Sequence, residues 1–329
     1  MPRLGLSEEE TALLSSNLEK LNELLIKKED LILDTKFRKE ITEYIEDFLY
    51  VMNIKKKKLT DGYLYRIRII GEDETRFENL SDLLIPPKDK SKQGRMNNDN
   101  LRVLYVSFDQ HVAELECGVN KLEIGRKYQV TRFQISEPIE CYYLGMFSEI
   151  IFNLPYNSKK QIEAMEELGF KNFEVDHHYL KKIALAEGYL ADALYTKKDK
   201  EDKEDKEDKE DKENKEDKED NNNKTNDLNF KNNNKNYYIL SSFISEIIFN
   251  FFEDKIDAIL YPSQRNNYGM NIAIKEAALK KITPIITFEN RVVENHSEKL
   301  VKYHTLSSAD LSWSTEKIEF EETPNSCHW

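Results

Sequence analysis

Four kinds of side chain in this sequence have the chemistry to hold a charged, aromatic ligand, and each sits in a short segment of regular pattern. Arg66 and Arg68 alternate along Tyr65-Arg66-Ile67-Arg68, and a guanidinium is a planar fork of donors that matches phosphate. Tyr105, in Leu104-Tyr105-Val106-Ser107, offers a ring that packs on another aromatic group. Glu114 and Glu116, in Ala113-Glu114-Leu115-Glu116, offer carboxylates that can stabilise positive charge as it develops. Ser263 follows Pro262 at the end of Leu260-Tyr261-Pro262-Ser263, where a strand would turn into a loop. The set suits an anionic ligand with an aromatic part. Each member also has an ordinary reading, since an arginine on a strand more often makes a surface ion pair. A serine nucleophile is not supported, because no histidine follows at a suitable position and the motif is not Gly-x-Ser-x-Gly.

The elements that must position these residues follow from periodicity. Alternation from Gly62 puts Tyr63, Tyr65, Ile67 and Ile69 on one side of a strand and Leu64, Arg66, Arg68 and Ile70 on the other. The two arginines therefore share a face, and the pattern does not choose between them. Val103 to Ser107 reads as a second strand, Tyr128 to Ile135 as a third and Ala258 to Tyr261 as a buried one. Asp109 can cap a short helix from His111 to about Asn120. With Val112, Leu115 and Val119 defining its buried face, Glu116 lies about 65° from the centre and Glu114 about 135°. This geometry predicts Glu116 at the edge of a cleft and Glu114 facing water.

Ser7 and Glu10 form a capping box ahead of a leucine-rich helical pattern, and a second helical pattern runs from Phe37 to Met52. Residues 1–58 thus read as a helical appendage suited to packing or to joining two copies of the chain. Helical patterns also cover roughly 158–169, 174–194, Tyr238 to Phe252 and Met270 to Lys281, while Ile285 to Phe288, Leu300 to His304 and Ile318 to Phe320 read as strands. Strands and helices alternate without a regular βαβ rhythm, so the fold class is α+β. A Lys-Glu-Asp triplet repeat running into an Asn-rich tract occupies residues 197–236. Its period of three stacks like charges at every i,i+3 pair, which predicts a disordered insertion inside one domain spanning 59–329.

Of 329 residues, 39% are hydrophobic, enough for a sizeable core, and the formal charge is −13. The insertion carries 12 Lys against 15 Asp plus Glu, so the remainder stays acidic and nucleic-acid binding is disfavoured. The sequence has no apolar run long enough for a membrane helix and no secretory pattern at Met1 to Leu6, which predicts a soluble, cytoplasmic protein. Cys117, Cys141 and Cys327 are too scattered for a disulfide framework, and the adjacent His177-His178 cannot clamp one ion; no metal site is expected.

In order along the chain, Tyr65-Arg66-Ile67-Arg68, Gly94-Arg95-Met96-Asn97, Leu104-Tyr105-Val106-Ser107, Ala113-Glu114-Leu115-Glu116 and Leu260-Tyr261-Pro262-Ser263 resemble the RES-domain family, toxins of bacterial toxin-antitoxin pairs. The resemblance covers about residues 60–135 and 255–290. It implies an ADP-ribosyltransferase-like mixed sheet and an enzyme that consumes NAD as substrate, with no bound cofactor. Arg66 matches the family arginine, Tyr105 its strand tyrosine and Ser263 its serine. The family spacing of eleven residues after the tyrosine selects Glu116 as the carboxylate. On this reading Glu116 faces the sugar as nicotinamide departs, Arg66 helped by Arg95 holds the pyrophosphate, and Tyr105 with Tyr65 packs on the nicotinamide or its ribose. Ser263 orients the ribose or Glu116. The products are those of an NAD glycohydrolase or phosphorylase; the alternatives are a mono-ADP-ribosyltransferase acting on a macromolecule and a non-enzymatic interaction protein with a vestigial pocket. A proteinaceous inhibitor, the antitoxin, is the implied partner. Met96 departs from the family, which places an aromatic residue there.

Overall fold

A computed structural model of the chain describes residues 35–52, 56–86, 94–155, 158–167, 241–263, 265–266, 269–297 and 300–328, with a few isolated positions besides. The first helix of the predicted N-terminal pair, most of the predicted helix at 174–194, His177-His178 and the insertion at 197–236 lie outside the described residues. The fold is mixed α+β and contains one ten-stranded sheet. The chain divides into two compact units.

One unit takes the described residues of 1–54, 92–101 and 147–252. Helix α1, Thr35–Met52, buries Ile41, Ile45, Phe48 and Leu49, the i, i+4, i+7, i+8 stripe that a surface helix turns to a core. The helical residues 241–252 do the same with Ile244, Ile247 and Ile248. Gly94-Arg95-Met96-Asn97 forms a tight turn closed by the Gly94 N–H donating to Asn97 O at 3.1 Å, and Met96 is fully buried.

The other unit holds the sheet and the described residues of 55–91, 102–146 and 253–329. Its strands are β1 (Lys57–Leu59), β2 (Tyr63–Ile69), β3 (Val103–Ser107), β4 (Lys127–Ile135), β5 (Ile139–Tyr143), β6 (Ala258–Pro262), β7 (Met270–Lys275), β8 (Ile282–Ser297), β9 (Leu300–Asp310) and β10 (Glu321–His328). They lie in the order β1-β5-β6-β7-β3-β2-β4-β8-β9-β10, antiparallel except for the β5/β6 pair. Both faces are covered. Leu64, Leu104, Val106, Phe133, Leu260, Ile272 and Ile274 gather in one apolar cluster, and Ile67, Ala113, Val119, Tyr128, Val130 and Val292 in another. Ala113 of the second cluster belongs to α3, Gln110–Cys117; the short α2 spans Leu80–Leu83.

Two sequence expectations fail here. Residues 270–281 are not a helix: Met270–Lys275 is a central strand between β3 and β6, and only Glu276–Lys281 coils, as a 3-10 turn. The helix-forming run Glu276-Ala277-Ala278-Leu279 biased the reading of the whole segment, whereas Asn271-Ile272-Ala273-Ile274 is buried on both faces, where pairing outweighs local propensity. Nor is Ile318–Phe320 a strand. Ile318 is instead a plug packed with Leu80, Leu83, Ala309 and Leu311, and its N–H donates to Glu78 O at 2.7 Å. The strands β1, β5 and β10 and the full length of the β8–β9 hairpin went unforeseen, and Lys57 and Lys58, expected at the end of the helical appendage, belong to β1.

Candidate active site

The site is built on β3, α3, β7 and the loop from Ser263 to Gly269 that joins β6 to β7, all in the second unit. β3 ends at Ser107, and Asp109 then caps α3, its Oδ1 accepting from the Val112 N–H at 3.1 Å. The helix stops after eight residues at Gly118, whose φ of +74° lets its N–H return to the carbonyls of Glu114 and Leu115. β7 pairs with β3 in a register that sets Asn271 directly opposite Ser107, and with β6 so that Asn271 also faces Tyr261.

The result is a chain of hydrogen bonds ending on one carboxylate. Ser107 Oγ donates to Asn271 Oδ1 at 2.6 Å; Asn271 Nδ2 donates to Glu116 Oε1 at 3.0 Å; Ser263 Oγ donates to the same oxygen at 2.6 Å. Ser263 is itself fixed, because its Oγ accepts from the N–H groups of Arg265 and Asn266 at 3.2 and 3.1 Å, and its own N–H donates to Gly269 O. A Cβ on Gly269 would lie 2.7 Å from Val112 Cγ2 and 3.1 Å from Ser263 Cβ, so only glycine lets this loop close on α3. Ser107, Asn271 and Ser263 are buried while Glu116 is half-exposed. One carboxylate oxygen is thus locked by two donors on a side chain that stays partly open to solvent. Hydrogen bonds to a charged acceptor are short and directional, so the pair fixes the orientation of the whole carboxylate.

Glu114 does not face water. It is 6% exposed, and its Oε1 accepts from Gln110 Nε2 at 2.9 Å and Tyr128 OH at 3.2 Å. The helical-wheel expectation treated α3 as a helix with one covered side, but β9 covers a second side: Gln110 Nε2 also donates to Tyr303 OH at 3.0 Å, and Tyr303 meets Tyr128 edge to face. Burial pushes the Glu114 carboxyl up to about 7, against the lowering effect of its hydrogen bonds. Burial also raises the phenol of Tyr303 to about 12, with the charge of Glu114 adding to it.

The two arginines that the pleat leaves equivalent are separated by their partners. Arg68 stacks on Phe77 at 4.3 Å and donates to the carbonyl of Asp82. Arg66 has no comparable contact: among the described residues its Nη1 is sealed from solvent and lacks a hydrogen-bond partner. Its guanidinium pKa falls to about 10, chiefly through burial and then through Arg68, with Cys117 and Tyr105 acting in the opposite direction. Tyr65 is opposite Ser107, where β2 joins β3, and packs against the cluster that includes Ala113. Tyr105 sits opposite Ala273, half-buried.

Of the residues named from sequence, Glu116 and Ser263 touch. Arg66, Tyr65 and Tyr105 lie on the adjoining strands of the same unit, whereas Arg95 belongs to the first unit. Asn271 was missed, hidden inside a stretch read as helix; a buried asparagine within an isoleucine-rich strand was the available signal. No cluster of three or more His, Cys, Asp or Glu side chains suited to a metal ion occurs among the described residues. Comparisons with protein-family models, with curated proteins and with solved structures find no match.

Proposed function

We propose that this protein cleaves the nicotinamide–ribose bond of NAD, and the observation that carries the reading is the doubly anchored carboxylate of Glu116. Departure of nicotinamide leaves positive charge spread over the ribose C1′ and ring oxygen. A fixed carboxylate facing that centre stabilises the transition state more than the ground state. Ser263 and Asn271 are positioning residues: they hold Oε1 and leave the other oxygen for the sugar. Arg66 supplies a cation for the diphosphate, consistent with its unpartnered Nη1, and Tyr105 and Tyr65 supply aromatic surface. Water accepts the ribosyl group in the simplest form of the reaction, giving ADP-ribose, nicotinamide and a proton.

An ADP-ribosyltransferase-like core belongs to the same proposal, although a ten-stranded sheet is larger than is typical of one. So do the cytoplasmic setting and a protein inhibitor, since uncontrolled NAD cleavage would poison the cell that makes it. No helix of the described residues is long and apolar enough to cross a membrane. Incubating the purified protein with NAD and following free nicotinamide tests the proposal: release above background supports it, and none from folded protein overturns it.

A further inference from the structure

A cavity of about 520 Å³ opens beside the Glu116 network, in the size range of small-ligand sites. Its walls include Phe108, Leu260, Met270 and Tyr143, and its polar groups are Lys57, Asp109 and Asn266. It adjoins the site through shared wall residues. Asn266 donates its N–H to Ser263 Oγ, and Gly269, also in the wall, packs against both Ser263 and Val112. One face of the cavity is therefore one hydrogen bond from the hydroxyl that anchors Glu116.

The groups in this cavity differ from those around Glu116. Phe108 and Tyr143 are rings, and Leu260 and Met270 give flat apolar surface, which together suit a planar heterocycle. Lys57 Nζ lies 5.5 Å from the Tyr143 ring centroid and makes no ion pair among the described residues. Asp109 uses Oδ1 to cap α3, which leaves its second oxygen as an acceptor. A base, a sugar with hydroxyl donors and a phosphate fit an aromatic wall, a carboxylate and an ammonium group in turn.

We propose that this cavity is a subsite for a nucleoside 5′-monophosphate unit, holding the adenylate half of the dinucleotide whose other half faces Glu116. The base packs against Phe108, Leu260 and Met270, the ribose hydroxyls donate to Asp109, and the phosphate pairs with Lys57. This assignment rests on the reading of NAD as substrate, but it is tested without any bond being cleaved.

The probe is AMP, titrated by calorimetry into the full-length protein and into Lys57→Gln, Lys57→Arg and Glu116→Gln. Lys57 is exposed on a short edge strand, so its replacement leaves the core intact; thermal unfolding of each variant verifies this. Wild-type protein should bind AMP saturably, Lys57→Gln about tenfold or more weakly, Lys57→Arg nearly as wild type, and Glu116→Gln within about twofold. Absence of saturable AMP binding, or equal binding by Lys57→Gln, overturns the subsite. AMP binding that depends on Lys57 in a protein that releases no nicotinamide keeps the subsite and removes the cleavage reaction. Nicotinamide release with AMP binding indifferent to Lys57 does the reverse.

Discussion

The buried carboxyl of Glu114 makes a quantitative prediction about stability and pH. In the folded protein it is protonated up to about pH 7, whereas in the unfolded chain its pKa returns to about 4.5. Between these values the folded state binds one proton more than the unfolded state, so stability is greatest below pH 4.5 and is lost as pH rises through 7. A tenfold change in proton affinity is worth about 1.4 kcal/mol, so a rise from 4.5 to about 7 corresponds to about 3 kcal/mol. At 6% exposure little of this is screened by solvent. Glu114→Gln removes the titration yet keeps an oxygen for the Gln110 amide and the Tyr128 hydroxyl. The assay is urea unfolding of wild type and Glu114→Gln at closely spaced pH values from about 4.5 to about 8, and the quantity of interest is the difference between the two curves. Relative to the variant, the wild type should lose about 3 kcal/mol across that range. A flat difference would refute the burial argument. A wild type that gains stability with rising pH would mean that Glu114 is held ionised by a partner cation, contrary to its two neutral donors.

Two further predictions concern groups that hold the sheet and the site. Asn271→Leu removes one of the two donors to Glu116 and strands the Ser107 hydroxyl, so nicotinamide release should fall about 10- to 100-fold, with Asn271→Asp no better because it sets a second carboxylate beside the first; an unchanged rate would show that Ser263 alone positions Glu116. Asp257, buried at the start of β6, accepts from Lys281 Nζ at 2.6 Å and the Glu140 N–H at 2.8 Å. Lys281→Met should therefore destabilise the protein by about 2 to 4 kcal/mol in chemical denaturation, and a loss below about 0.5 kcal/mol would place the pair among solvent-screened surface contacts.

Local signals carried the part of the site that is local. Asp109 before Val112 is a helix cap whatever surrounds it, the aromatic and β-branched residues of β2 and β3 mark them as strands, and Glu116 sits on an eight-residue helix whose start and stop are written in Asp109 and Gly118. What the sequence hid depends on partners far along the chain. Glu114 is covered by Tyr303, which lies 193 residues beyond its hydrogen-bond partner Gln110, and Asn271 reaches Glu116 only because β7 pairs between β3 and β6. No periodicity in α3 or in Met270–Lys275 encodes those neighbours. Arg66 and Arg68, equivalent by the pleat, were distinguished only when Phe77 and the Asp82 carbonyl engaged one of them.

The central claim, that Glu116 stabilises the sugar from which nicotinamide leaves, is tested most directly by nicotinamide release from NAD in wild type and Glu116→Gln side by side. Gln keeps the size and hydrogen-bonding reach while deleting the charge, and a preorganised contact of this kind is worth about 10² to 10³ in rate. The account predicts release by the wild type, a fall of that order in Glu116→Gln, and an unchanged thermal midpoint. Equal rates in the two proteins, or no release by either, would contradict it.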